Sequence, residues 1–156
     1  MGYLVGMTAT DDTDILSLDA QLCFALVTAA RNVVAIYRPI LEPLGLTHPQ
    51  YLVMLALWES SPRSLRELAD ALAFDAATAS PLVKRLEAQG LVTRRRAGED
   101  ERRLEIVLTA AGVALRERAL AVPPAVMSTV GMSVEQVRDL RESLRPFAGS
   151  RVPLDS

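Results

Sequence analysis

Hydrophobic positions along the chain fall into runs with two different periods. From Leu18 to Pro39, apolar residues recur at Leu22, Leu26, Ala29, Val33 and Ile36, the repeat of a first long helix. Pro43 and Gly45 then break the chain. Thr47-His48-Pro49-Gln50 has the form of a capping box with Pro in the first turn, predicting a second helix through Glu59. Ser60-Ser61-Pro62-Arg63 ends it. Ser64-Leu65-Arg66-Glu67 is another capping box and opens a third helix to about Ala73. Asp75 can cap a fourth, Ala76–Gln89, with Gly90 as its left-handed stop. The period then changes to two. Leu91–Arg95 and Leu104–Leu108 predict strands around a turn at Ala97–Glu101, with Leu104, Ile106 and Leu108 on one face. Thr109 caps the next helix, which Pro123-Pro124 kinks or interrupts and Gly131 ends. Ser133-Val134-Glu135-Gln136 is a third capping box, opening a last helix to about Leu144. There is no internal repeat and no low-complexity tract.

This order predicts a mainly α fold with a small β-hairpin wing. The stretch from about Ser64 to Leu108 is the pattern of a winged helix-turn-helix. The expected organisation is one intertwined domain. Residues 1–13 form a flexible tail, 47–108 the winged helix-turn-helix, and 14–46 with 109–150 a helical dimerisation region. The flanking helices carry much apolar surface and no sheet to cover. A second copy of the chain, related by a two-fold axis, is the simplest cover. Packing back on the central module is the other solution. A two-fold dimer would present two recognition helices about one helical turn of DNA apart.

A helical wheel divides the fourth helix into two faces. Ala79, Leu82, Val83 and Leu86 share one arc and should face the core. Ala77, Ser80, Pro81, Lys84 and Ala88 share the opposite arc, flanked by Thr78 and Arg85. Small residues let a helix sit deep in a major groove. Hydroxyls meet base edges or phosphates, and Lys or Arg meets phosphates or guanine. A solvated face has the same composition; the capped helix before it and the basic hairpin after it favour DNA. Pro81 lies past the first turn if the helix starts after Asp75, where it removes a backbone bond. The other start makes Ser80 the cap. In the hairpin, Arg94, Arg95, Arg96, Arg102 and Arg103 accompany Glu99, Asp100 and Glu101. These form a salt-linked turn, or Asp100 orients Arg102 toward a narrow minor groove. The two readings are compatible. The expected DNA-contacting set is Ala77, Thr78, Ser80, Pro81, Lys84, Arg85, Arg94, Arg96, Asp100, Arg102 and Arg103.

Composition narrows the picture. The chain has 156 residues, half of them hydrophobic and 4% aromatic, which suits one domain of packed helices. Its net charge of −2 does not advertise nucleic-acid binding. Yet Lys84–Arg103 holds seven basic residues against four acidic ones. Cys23 is the only cysteine, so no intramolecular disulfide forms, and a reducing, cytoplasmic setting is expected. One His and one Cys without ligand spacing argue against a metal site, and no cofactor is expected. No uncharged apolar run reaches about 18 residues, the length of a membrane span, and the N-terminus lacks the basic start of a signal peptide. No nucleophile–base pair, phosphate-cradling glycine loop or paired carboxylates suggests an enzyme.

Ser64-Leu-Arg-Glu-Leu-Ala-Asp-Ala-Leu, Val83-Lys-Arg-Leu-Glu-Ala-Gln-Gly-Leu-Val-Thr-Arg-Arg, Asp100-Glu-Arg-Arg and Leu108-Thr109 resemble the MarR family of bacterial regulators, over about Leu18 to Leu144. Upstream, Leu18-Asp-Ala-Gln-Leu-Cys-Phe-Ala-Leu and the stretch from Tyr37 to Tyr51 resemble that family's organic hydroperoxide resistance branch. The resemblance implies a reactive cysteine at Cys23 and a tyrosine at Tyr37 that hydrogen-bonds its sulfur. A second tyrosine of that pocket is His48 here, and a third is Val27. The resolving cysteine of disulfide-forming members aligns with Ser128. An oxidised Cys23 would therefore end as a mixed disulfide with a small thiol, or over-oxidise. Read from the residues alone, Cys23 between Leu22 and Phe24 is a small buried hydrophobe with an inert thiol. His48 can hydrogen-bond a thiolate or simply fill a helical turn.

The leading expectation is a repressor that binds a palindromic operator as a homodimer and lets go when organic hydroperoxide oxidises Cys23. Its rival is a regulator released by a small apolar or phenolic inducer, with Cys23 inert. A protein-interaction module is the distant third.

Overall fold

The computed structural model describes residues 14–98 and 100–148; the side chains of Asp100, Glu101 and Arg102 lie outside the described set. So does the expected tail, 1–13. The chain divides into two compact units after Ala35.

In the first unit, Leu18–Ala20 close as a 3-10 turn, and helix α1 (Leu22–Leu41) begins only after it. The predicted start at Leu18 is corrected by Gln21. Its side-chain amide donates to the carbonyls of Ile15 at 2.8 Å and Ser17 at 2.9 Å, tying the entry into a separate turn. No described residue up to Ala35 is buried, and Leu22, Phe24, Val27, Val33 and Val34 are exposed. Leu22–Leu44 is long and apolar enough to cross a membrane by length and composition alone. Arg31 and Arg38 interrupt its uncharged runs.

The second unit is built around helix α2 (His48–Glu59), which buries Tyr51, Val53, Met54, Ala56 and Leu57. Both hydrogen bonds of the Thr47–Gln50 capping box are present. Helix α3 (Leu65–Ala71) and helix α4 (Ala76–Ala88) follow, each starting at the predicted cap. Strands β2 (Val92–Ala97) and β3 (Asp100–Leu108) form the hairpin. They run closer to the tip than predicted, with a register shift at Arg96/Ala97. Ile106 is fully buried and Leu108 half-buried, but Leu104 is exposed, beyond the reach of the core.

A strand that the pattern did not announce, β1 (Arg63–Ser64), pairs antiparallel with β3, Arg63 opposite Ile106 and Ser64 opposite Glu105. The sheet order is β1-β3-β2. Helix α5 (Ala110–Ala119) and helix α6 (Val122–Val130) are separate. The Pro pair occupies the first turn of α6, where missing N–H groups cost nothing. Gly112 of α5 lies so close to the hairpin entry that a Cβ there would sit 2.1 Å from the Leu91 carbonyl oxygen. The indole of Trp58 donates to the Gly112 carbonyl at 2.9 Å. Helix α7 (Val134–Ala148) starts from the reciprocal Ser133–Gln136 cap and buries nothing.

Candidate nucleic-acid interface

The helix-turn-helix is made by local chemistry. α3 stops at Leu72, and Ala73 takes a left-handed φ of 54°. Phe74 N–H donates back to the Ala69 carbonyl at 2.8 Å, closing the turn. Asp75 then accepts the Thr78 N–H at 2.7 Å and starts α4. Pro81 lies inside α4, as the earlier of the two starts requires. It carries no N–H for the Ala77 carbonyl.

The two faces of α4 separate as the wheel predicts. Ala79, Leu82, Val83 and Leu86 are buried. Ala77, Thr78, Pro81, Lys84 and Arg85 are exposed, and Ser80 is half-buried. Because the apolar stripe is seated in the chain's own core, the opposite face is held outward.

The hairpin arginines are arranged differently from a free basic fringe. Arg94 grips Glu87 of α4 with a fork, Nη2 to Oε1 at 2.9 Å and Nε to Oε2 at 3.2 Å, and its backbone N–H adds a third bond at 3.2 Å. The side-chain hydrogen bond from Arg94 pulls the Glu87 carboxyl below its usual range and raises the Arg94 guanidinium. Arg103 pairs with Oε1 of Glu67 on α3, while Oε2 of Glu67 takes the Ser64 N–H at 2.9 Å. The bond from the Ser64 backbone, and then the charge of Arg103, lower the Glu67 carboxyl. Arg95 reaches Glu105 across the hairpin at 3.4 Å. Arg96 is exposed and has a partner of its own. The side chains of Asp100 and Arg102, assigned to the wing tip, lie outside the described set.

Ser64, Glu67, Ser80, Lys84, Arg94 and Arg103 line an open cleft of about 840 Å³ between α3, α4 and the hairpin. Sequence reasoning missed Glu67 and Glu87 as members of this surface. Glu67 was visible only as a capping residue, and Glu87 only as a charge opposing the basic run.

Of the residues assigned to oxidant sensing, Tyr37 and His48 come together, ring centroids 4.9 Å apart and edge-on. Tyr51, not singled out in the sequence, joins them at 5.8 Å from Tyr37. Burial raises the Tyr37 and Tyr51 phenols and lowers the His48 imidazole. Cys23 lies on the first-unit part of α1 and is exposed, not buried as its apolar neighbours suggested. No group of three or more metal-ligating side chains occurs among the described residues.

The MarR family profile matches residues 44–103. The organic hydroperoxide resistance transcriptional regulator of Bacillus subtilis (strain 168) is 38% identical over 131 residues, covering 84% of this chain and 89% of that protein. The HTH-type transcriptional regulator TtmR of Methylorubrum extorquens (strain PA1) is 42% identical over 138 residues, covering 88% and 71%. Reduced AbfR bound to DNA superposes with a TM-score of 0.69 at 35% identity, covering 83% of this chain and 91% of that one. AbfR is a Staphylococcus epidermidis protein, also solved overoxidised on DNA.

Proposed function

The chain belongs to the MarR family of DNA-binding transcriptional regulators, and from that premise we propose that it is a cytoplasmic, homodimeric repressor of a palindromic operator, released when organic hydroperoxide oxidises Cys23. It is not an enzyme. The observation that carries the DNA reading is the capped α4, whose apolar face is locked in the core and whose small and basic face is exposed. In this reading Ala77, Thr78, Ser80, Pro81, Lys84 and Arg85 meet the major groove. Arg94, Arg96, Asp100, Arg102 and Arg103 belong to the wing. Residues 47–108 form the DNA-binding module, and 14–46 with 109–150 form the dimer.

An exposed thiol and the Tyr37–His48–Tyr51 ring cluster support the sensing part. The Cys23 thiolate would attack the peroxide, breaking its O–O bond and taking the terminal OH as sulfenic acid, with an alcohol leaving. A low-molecular-weight thiol then condenses with the sulfenic acid, losing water, because Cys23 has no partner cysteine in the chain. Tyr37 and His48 supply donors near the start of α2. The test is operator binding before and after organic hydroperoxide, with mass spectrometry of Cys23. Loss of binding with Cys23 carrying an oxygen or a thiol adduct is expected. Unchanged binding with a free Cys23 thiol would sink the sensing role. Cys23→Ser should bind DNA and ignore peroxide.

A second reading has its own support. Tyr51, Leu55, Trp58, Leu120 and Pro123 line a cavity of about 360 Å³, mostly apolar, with Glu59 and Arg116 as its charged members. That volume and lining suit a small phenolic or apolar inducer. Release by such a compound from the Cys23→Ser variant would favour it.

A further inference from the structure

We infer that Glu67 and Glu87 are positioning residues of the DNA-binding surface, clamping the hairpin to α3 and α4 through Arg103 and Arg94, so that these two arginines hold the wing instead of neutralising phosphates. The inference rests on the reading that α4 and the hairpin face DNA.

The geometry of each clamp is over-determined. At Glu87, two guanidinium nitrogens and the backbone N–H of Arg94 converge on one carboxylate. The backbone bond means that rotating the Arg94 side chain away would still leave Glu87 anchored to β2. Forked guanidinium–carboxylate pairs resist exchange because two directional bonds must break together. At Glu67, one oxygen is already fixed by the Ser64 N–H at the α3 cap. The other is thereby aimed at Arg103 before the ion pair forms. Ser64 is also a residue of β1 and pairs with Glu105 of β3. The start of α3 and strand β3 are thus joined through the backbone and through the carboxylate.

The two clamps act on different strands. Arg94 holds β2 to α4, and Arg103 holds β3 to α3. One pair alone leaves a hinge, whereas two on opposite strands fix the direction of the tip relative to the helix pair. An arginine paired inside the protein is a poor phosphate ligand. Lys84 and Arg85 carry no ion pair among the described residues and point outward from α4. The basic excess counted along the chain is therefore divided between cations that meet DNA and cations that build the surface.

The test uses full-length protein and a duplex selected by the wild-type protein from a random-sequence pool, with affinity measured across a range of salt. A phosphate contact adds about 0.9 to the slope of log affinity against log salt. Arg94→Gln and Arg103→Gln should each weaken binding several-fold while leaving that slope unchanged. Glu67→Gln keeps the cap, since Gln serves equally at that position. It should weaken binding although it removes a negative charge from the DNA side. Arg94→Glu should be worse than Arg94→Gln, and adding Glu87→Arg should recover most of the loss. A slope that drops by about 0.9 in either arginine variant, tighter binding by Glu67→Gln, or a swap no better than Arg94→Glu alone overturns the clamp. If the swapped protein does not fold, the slopes of the Gln variants decide. A flat slope in the wild-type protein overturns the DNA reading and the clamp with it.

Discussion

Helices α4 and α7 are of similar length, and side-chain caps precede both. They end in opposite situations. α4 buries Ala79, Leu82, Val83 and Leu86 in its own chain. α7 buries nothing and leaves Val134, Leu140 and Phe147 exposed. A cap decides where a helix begins; its apolar stripe decides what it must meet. The stripe of α4 is satisfied internally, which fixes the helix and leaves its other face exposed for the DNA contact proposed above. The stripe of α7 is satisfied only by another surface, which is the physical case for the proposed dimer.

The contrast can be broken by five substitutions. Leu86→Ala empties a fully buried site of α4 and should cost about 2–5 kcal/mol, read as a large drop in the thermal midpoint. Leu140→Ala should cost far less in a dissociated protein. Leu140→Glu should raise the dimer dissociation constant tenfold or more, about 1.4 kcal/mol, by sedimentation, with helical content kept. A Leu140→Glu protein that stays dimeric would remove α7 from the interface. Asp75→Ala deletes the bond to Thr78 N–H and should cost about 1 kcal/mol. Operator affinity should fall with it, because the first turn of α4 carries Ala77 and Thr78. Ser133→Ala should cost a similar amount without touching operator affinity at the level of the protomer.

The smallest effect concerns pH. Burial lowers the His48 imidazole from its ordinary value near 6.5. The unfolded chain then binds the proton more readily than the folded one. The contribution is present above pH 6.5 and is lost as pH falls through 6.5 toward the lower folded value. His48→Phe should flatten stability against pH in that interval, followed by denaturant midpoints. α7 has no histidine, so its variants should leave the acid limb unchanged.

What could be read from the sequence was local. The caps at Thr47, Ser64, Asp75, Thr109 and Ser133 join residues three apart, so their partners are written beside them. The two faces of α4 follow from a period of 3.6. What escaped depends on distant partners. β1 is two residues long and exists only because β3 passes beside it. Leu104 fits the alternation of a strand but extends past the core. Arg103 meets Glu67 from 36 positions away, and no periodicity links them. Arg94 and Glu87 are seven apart but in different elements, so a count of charges set them against each other when the fold sets them together.

The pairing of β1 with β3 also bears on how the molecule comes into being. Arg63 and Ser64 are synthesised before Glu105 and Ile106, their partners across the sheet. α2, α3 and α4 can assemble from neighbouring contacts before that pairing forms, since helical contacts are short in sequence and form early. The sheet closes only when the hairpin arrives and supplies the missing edge. A chain ending before β3 would hold a helix-turn-helix whose first edge is still unpaired. The surface proposed to read DNA is therefore completed last, by the strand that returns to the place where the motif began.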